Sequence, residues 1–170
     1  MTFTPCPHLV LGTERWDNPS TACQEREGST VPLVTSGSPS LPLILARELA
    51  SNLATPMFLI DGRGMLVFYN EAAERLIGRS FAELGEMDAL EWGALLQMAE
   101  LDGTPARMRD TPASIAFFER RPAHRVFLAT GLDGVRRQVE VTAFPLFASA
   151  DDLQGVVNVF WEDVPAGDGG

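Results

Sequence analysis

Residues 56–78 read PMFLIDGRGMLVFYNEAAERLIG. The stretch holds two short apolar runs, at 57–60 and 65–69, made of residues that suit a pleated, half-buried strand. The four residues between the runs are DGRG, and glycine supplies the positive-φ positions that tight hairpin turns require. The stretch therefore predicts a β-hairpin.

A helix is predicted directly after this hairpin. Asn70 stands immediately before good helix formers at 71–77, and an asparagine side chain at that position accepts a hydrogen bond from a first-turn N–H group. Glu71 complements the positive end of the helix dipole. Gly78 suits the left-handed backbone at a helix C-terminus.

Upstream, residues 41–53 predict an amphipathic helix that begins after Ser40. Its apolar stripe repeats about every helical turn and consists of Leu41, Ile44, Leu45, Leu49 and Leu53. The stripe has two interpretations, which the pattern alone does not separate. The helix either packs on its own domain or pairs with the same helix of a second chain.

Downstream, short helices precede three further strands. Ser80 and Glu83 have capping-box spacing, residues 89–101 follow a helical pattern weakened by Gly93, and Thr111 caps a helix at 112–119. Strands are predicted at 124–130, 135–144 and 156–162.

Alternation within the strands predicts which side chains are buried. On the middle one of the three closing strands, Val139 and Val141 are assigned to the core face. On the last strand, Val159 and Trp161 are assigned to the core face and Asn158 to the opposite face. The element order predicts an α+β domain with a five-stranded antiparallel sheet and short helices on one face.

The ordered pattern resembles the PAS domain family, a sensory and interaction module of signalling proteins. Six positions of the quoted stretch match the family's opening: Asp61, Gly64, Asn70, Ala72, Ala73 and Gly78. The turns at 102–105 and 133–134, then Pro112, Pro145 and Gly155, follow in the family's order. The resemblance covers residues 41–163 and implies a PAS fold with an N-terminal flanking helix at 41–53. Residues 1–40 are expected to be a disordered or loosely ordered tail, and 164–170 a C-terminal tail.

Composition narrows the function classes. The chain has 170 residues and a net charge of −10, from 23 acidic and 13 basic residues. An acidic surface repels phosphates, so we expect no nucleic-acid or anionic-membrane partner. No apolar run approaches the ~18 residues of a membrane span, and no basic segment precedes the short apolar stretch at the N-terminus. We expect a cytoplasmic protein.

No catalytic or metal-binding set is evident, so we expect no enzyme and no metal. Cys6, His8 and Cys23 lack the paired spacing of zinc ligands. No Ser-His-Asp set or phosphate loop is present.

The resemblance also limits the cofactors that can be expected. Covalent flavin photochemistry in this family needs a cysteine, and none occurs at 24–170, so that chemistry is excluded. Haem would need an axial histidine, and since His124 begins a predicted strand, haem is not expected.

An apolar cavity between the sheet and the helices is the remaining candidate site, either filled by its own side chains or open to a small organic ligand. The predicted lining is Phe58, Ile60, Phe68, Asn70, Trp92, Leu96, Ile115, Phe127, Val141, Val159 and Trp161. The favoured function is a non-catalytic signal-transduction module that senses a ligand or binds a protein.

Two alternatives stay open: a cone-shaped-cavity enzyme of the isomerase or dehydratase kind, and a purely structural dimerisation domain. We expect a homodimer through the leucine stripe. No effector segment follows the last predicted strand, so a separate protein signalling partner is expected unless the sequence is a fragment.

Overall fold

The structure is a computed structural model and describes residues 40–162. The predicted tails therefore lie outside the described residues, apart from Ser40. The helices are α1 Leu41–Ser51, α2 Glu71–Ile77, α3 Phe81–Leu84, α4 Ala89–Leu95 and α5 Pro112–Phe118, with a 3₁₀ turn at Met108–Asp110. The strands are β1 Met57–Asp61, β2 Met65–Tyr69, β3 Met87–Asp88, β4 Ala123–Thr130, β5 Arg136–Ser149 and β6 Asp152–Glu162.

The strands form one antiparallel sheet in the order β3-β2-β1-β6-β5-β4. The first long strand and the last are neighbours at its centre, because β1 pairs with β6 from Met57–Val159 to Asp61–Gly155. The predicted α+β class and its five strands are confirmed. The sixth strand, β3, was missed because two residues are too few to show an alternating pattern.

The sheet carries a separate apolar cluster on each face. The inner face packs against α2, α4 and α5, and its buried core includes Phe58, Leu66 and Phe117. The outer face packs against α1, where Ala46 and Ala50 meet Leu59 and Val157 among other residues. The short helices therefore cover one face, as predicted, and the flanking helix covers the other. No helix within residues 40–162 is long and apolar enough to cross a membrane.

A β-bulge in β2 decides which of its side chains face inward. Leu59 pairs with Phe68, but the next residue of β1, Ile60, pairs with Leu66, so Val67 is an extra residue on β2. Directly paired residues point to the same face. Phe68 therefore lies with Leu59 on the outer face, where it packs against the α1 cluster.

The parity predicted for β6 is wrong. Asn158 is fully buried and pairs with Phe58 and Ala143, which both belong to the inner-face cluster. Val157 and Val159 consequently lie on the outer face. The error arose because a polar residue was assigned to the wet side of the strand, whereas this asparagine lies inside the core.

The helix predicted at 89–101 is too long. It ends at Leu95, and Gln97 adopts a positive φ of 43°. Beyond this bend, Ala99 exchanges two backbone hydrogen bonds of 2.8 Å with Leu128 of β4. The chain thus leaves the helix to pair with the edge strand, which would otherwise expose unpaired backbone groups.

Asn70 joins α1, β1 and α2 through its buried side chain. Its amide nitrogen donates to three backbone carbonyls, and its amide oxygen accepts from two backbone N–H groups. The partners are the carbonyls of Ala50 (2.9 Å), Leu53 (3.2 Å) and Thr55 (2.9 Å), and the N–H groups of Met57 (3.0 Å) and Ala73 (3.0 Å). The predicted cap is confirmed, and the same side chain also holds the end of the flanking helix.

Replacing Asn70 tests this arrangement. Asn70→Ala should lower the free energy of unfolding by about 3 kcal/mol, since it removes a helix cap and leaves buried backbone groups unpaired. Asn70→Asp is the sharper variant, because it keeps the accepting oxygen but replaces the donating NH₂ group with a carboxylate oxygen that faces three carbonyls. We expect Asn70→Asp to accelerate hydrogen exchange across α1 more than across α2, measured by mass spectrometry. If hydrogen exchange increases equally in α1 and α2 in Asn70→Asp, the Asn70 amide nitrogen does not hold the end of α1.

Candidate functional site

An apolar cavity of about 70 Å³ lies between the inner face of the sheet and the helices that cover it. Its walls come from β1, β4, β5 and β6 on one side, and from α2, α4, α5 and the segment after α4 on the other. Six predicted lining residues border it: Phe58, Ile60, Trp92, Leu96, Phe127 and Val141.

The structure places the other five predicted residues elsewhere. Phe68 lies on the outer face because of the bulge in β2, and Val159 lies there because Asn158 occupies the inner face of β6. Trp161 shares the parity of Val159 and is 38% exposed. Asn70 is fully engaged with backbone groups, and Ile115 lies on α5 outside the lining.

His124 is also remote from the cavity. Its ring stacks on Trp161 with centroids 6.3 Å apart, and its Nδ1 lies 2.9 Å from the hydroxyl of Thr142. Both contacts are on the outer face, so this imidazole does not point at the cavity.

Two methionines form part of the wall that the sequence patterns did not indicate. Met98 and Met108 both line the cavity. Met108 packs against the backbone of Gly93 so closely that a Cβ added there would lie 2.8 Å from its sulfur. The glycine that weakens α4 therefore makes room for Met108, a flexible side chain that adapts to irregular spaces.

The aromatic side of the cavity is tightly built. Phe58 contacts Trp92 edge-on at 6.1 Å and Phe160 at 5.7 Å between ring centroids. Tyr69 stacks on Trp92 at 5.4 Å, and its hydroxyl donates to the carbonyl of Arg79. Burial raises the pKa of Tyr69 to about 12, which favours the protonated hydroxyl that donates this hydrogen bond.

Three buried polar atoms on cavity-lining residues have no hydrogen-bond partner among residues 40–162. They are the amide nitrogen and oxygen of Asn158 and the indole nitrogen of Trp92. Buried polar groups are almost always paired, because an unpaired one costs about 1–3 kcal/mol. The cavity surface is therefore apolar, while two of the residues that line it carry buried donors and an acceptor without partners in the described chain.

Arg137 is the one ionisable residue among the lining residues of the described chain. Its guanidinium donates to both carboxylate oxygens of Asp133, at 3.1 and 2.7 Å, and lies 3.8 Å from Glu162. The hydrogen bonds from Arg137 lower the pKa of Asp133 to about 2. Within residues 40–162, no carboxylate or histidine lines the cavity, and no cluster of three or more His, Cys, Asp or Glu could hold a metal.

Comparison with solved structures returns PAS and LOV domains. The Rhodobacter sphaeroides LOV protein has a TM-score of 0.57 at 12% identity, covering 75% of this chain and 70% of that chain. A PAS domain from Colwellia psychrerythraea has a TM-score of 0.51 at 14% identity, covering 71% and 95%. A fungal LOV domain photoreceptor has a TM-score of 0.50 at 17% identity, covering 70% and 88%. The sequence matches no protein-family model and no curated protein.

These likenesses confirm at the level of fold the resemblance read from the sequence: the chain has the PAS fold. The identities lie far below those that transfer a ligand or an activity. The site must therefore be interpreted from its own residues.

The ion pair between Arg137 and Asp133 predicts how the stability of the fold changes at acidic pH. A carboxylate with a depressed pKa stabilises the fold above its unfolded-state value of about 3.9, and that contribution is lost as the pH falls toward about 2. The melting temperature of the wild type should therefore exceed that of Asp133→Asn at pH 5, and the difference should shrink between pH 4 and 2. A difference that stays constant across this range would show that the pair does not act in this way.

Proposed function

We propose that this chain is a non-catalytic signal-transduction module that senses a small ligand in its apolar cavity. The observation that carries the proposal is the set of unpaired polar atoms on Asn158 and Trp92 beside an unfilled apolar space. A cavity filled only by its own side chains would leave these atoms without partners at a cost in stability. The apolar walls with a few polar groups are typical of a small-molecule site.

The proposal does not extend to the covalent flavin photochemistry that the family resemblance raised. Residues 24–170 contain no cysteine, so none of the described residues that line the cavity is one. An isomerase or dehydratase would need a carboxylate or histidine at its substrate, and the lining residues include neither. Sensing is therefore favoured over catalysis.

A ligand changes a protein only by binding one conformation better than another. The wall most able to move is the segment from the end of α4 to the 3₁₀ turn at Met108–Asp110. This segment contains the bend at Gln97 and the Met108 side chain over Gly93, while the opposite wall is a hydrogen-bonded sheet. A ligand that displaces Met108 would shift the short helices against a rigid sheet.

The flanking helix is the proposed output, through a homodimer. Helix α1 packs on the sheet through Ala46 and Ala50, with Leu43 half-buried beside them, and leaves most of its other leucines in water. Leu41, Leu45 and Leu49 are 66%, 60% and 58% exposed. An apolar stripe of this kind marks an interaction surface. A second copy of the chain would offer an identical stripe, so that the two could pack face to face around a two-fold axis.

Filling the cavity tests the sensing proposal. Val141→Phe adds bulk on the inner face and should mimic or block a ligand, which changes hydrogen exchange in α1 and in residues 89–119. Val126→Phe on β4, which pairs with Glu140 on the outer face, is the matched control and should leave both segments as in the wild type. If neither segment responds to Val141→Phe or to stripping of copurified small molecules, the module does not sense through this cavity.

Charging the leucine stripe tests the dimer. Leu45→Glu with Leu49→Glu should turn a dimer into a folded monomer in sedimentation velocity, because carboxylates cannot be buried between the helices without partners. The control is Ser51→Glu with Asn52→Glu, which adds the same charge at exposed polar positions of the same region and should remain dimeric. A wild type that sediments as a monomer at high concentration would overturn the dimer proposal.

A further inference from the structure

The unpaired polar atoms on the lining residues also indicate which chemical class of ligand would complement them. Asn158 has both an unpaired donor and an unpaired acceptor on one planar amide group, and this residue is fully buried. Trp92 adds a third group, an N–H that can only donate. Since the two residues line the same cavity, their polar atoms form one candidate recognition set.

The described chain itself offers these atoms no partner. The residues paired with Asn158 across the sheet on either side, Phe58 and Ala143, have apolar side chains. The hydroxyl of Thr111, another lining residue, donates to the carbonyl of Met108 at 2.8 Å. The guanidinium of Arg137 is held by Asp133. The partner of Asn158 must therefore come from outside residues 40–162.

We infer that the cavity recognises a compact, uncharged amide, of which a small lactam is the simplest form; the inference rests on the proposed function. The complement of a primary amide is an N–H beside a C=O, because two parallel hydrogen bonds then satisfy the Asn158 donor and acceptor together. The Trp92 N–H can donate to the second lone pair of the ligand carbonyl. One amide group therefore carries the chemical complement of all three unpaired atoms: an N–H for the Asn158 oxygen, and two carbonyl lone pairs for the Asn158 NH₂ and the Trp92 N–H.

Charge and size limit the class further. An ion beside Asn158 would be buried without a free counter-charge, since Arg137 is already balanced by Asp133 and Glu162, and burying an unpaired charge is strongly unfavourable. The cavity of about 70 Å³ is roughly half the size of an engineered cavity, about 150 Å³, that binds benzene. A small ring can enter only if the flexible methionines Met98 and Met108 yield, which makes the ligand compact.

Ordered water is the competing occupant. Water commonly bridges buried polar groups, and it could pair with Asn158 and Trp92 without any selectivity for an amide. The two occupants differ in what they predict for ligands of equal shape. Water-filled polar atoms would not distinguish a lactam from a ketone of the same ring size.

A set of matched ring probes separates these cases. The full chain, labelled with ¹⁵N, is titrated with 2-pyrrolidinone, cyclopentanone and cyclopentane, which share a ring size but carry an amide, a carbonyl alone and no polar group. We expect 2-pyrrolidinone to shift the side-chain NH₂ resonances of Asn158 and the indole N–H resonance of Trp92. It should bind about tenfold more tightly than cyclopentanone, because a site built to hydrogen-bond a group discriminates against the analogue that lacks it.

Three variants assign the preference to its atoms. Asn158→Leu keeps the branching of the side chain but removes both polar atoms, so it should erase the preference for 2-pyrrolidinone. Trp92→Phe removes the indole N–H and also shrinks the side chain from two rings to one. The lost volume affects both probes, whereas the lost N–H should weaken 2-pyrrolidinone more than cyclopentane. This variant also provides the test if Asn158→Leu does not fold. Val159→Ala, the outer-face neighbour on β6, is the control and should keep the wild-type preference.

The outcomes separate this inference from the proposed function. Equal affinity for the three probes in the wild type would overturn the amide inference and leave ligand sensing in place. A preference for 2-pyrrolidinone that survives both Asn158→Leu and Trp92→Phe would also overturn it. If no probe binds, the amide inference fails, whereas ligand sensing through this cavity is decided separately by the hydrogen-exchange comparison with Val141→Phe.

Discussion

The buried amide of Asn70 is the contact on which the arrangement of the elements depends. One side chain caps α2, accepts from the first residue of β1 and donates to carbonyls at the end of α1 and in the linker after it. No other uncharged side chain of this size supplies two donor hydrogens and an acceptor in one plane, apart from glutamine, which is one methylene longer. Helix α1, strand β1 and helix α2 are consequently held together by the hydrogen bonds of one buried side chain.

The local chemistry of turns and caps could be predicted from the sequence, because it depends on a few adjacent residues. The Asn70 cap, the Ser80–Glu83 capping box and the left-handed Gly78 are all present. The face of the sheet on which each strand residue lies was harder to predict, because it depends on pairing between strands that are distant in the sequence. One extra residue at Val67 turns Phe68 outward, and the burial of Asn158 inverts the apparent parity of β6. A polar residue within an apolar strand looks like a surface residue until its neighbours on both adjoining strands are known.

Six of the eleven predicted lining residues border the cavity, and three of the other five, Phe68, Val159 and Trp161, were assigned to the wrong face of the sheet. Residues on β1, α4 and β4 were placed well because their patterns were regular, whereas the residues placed through β2 and β6 carried the facing errors. Met108 lies in a polar, irregular segment with no period that could indicate burial. Its position against Gly93 is a contact between two segments, visible only once α4 and the 3₁₀ turn lie side by side. The unpaired atoms of Asn158 and Trp92 are likewise a property of the whole core.

The sheet separates the proposed input from the proposed output, since the cavity is on its inner face and the α1 leucines are on its outer face. Asn70 crosses that division, because its oxygen caps a helix of the inner layer while its nitrogen holds the outer helix. Energetic coupling between two sites is reciprocal. Under the proposed function, a ligand that alters how α1 is held must therefore bind with a different affinity when α1 is paired with another chain. Ligand binding in the cavity and pairing of α1 with another chain then shift the same conformational equilibrium. Either event can therefore act as the input and alter the other.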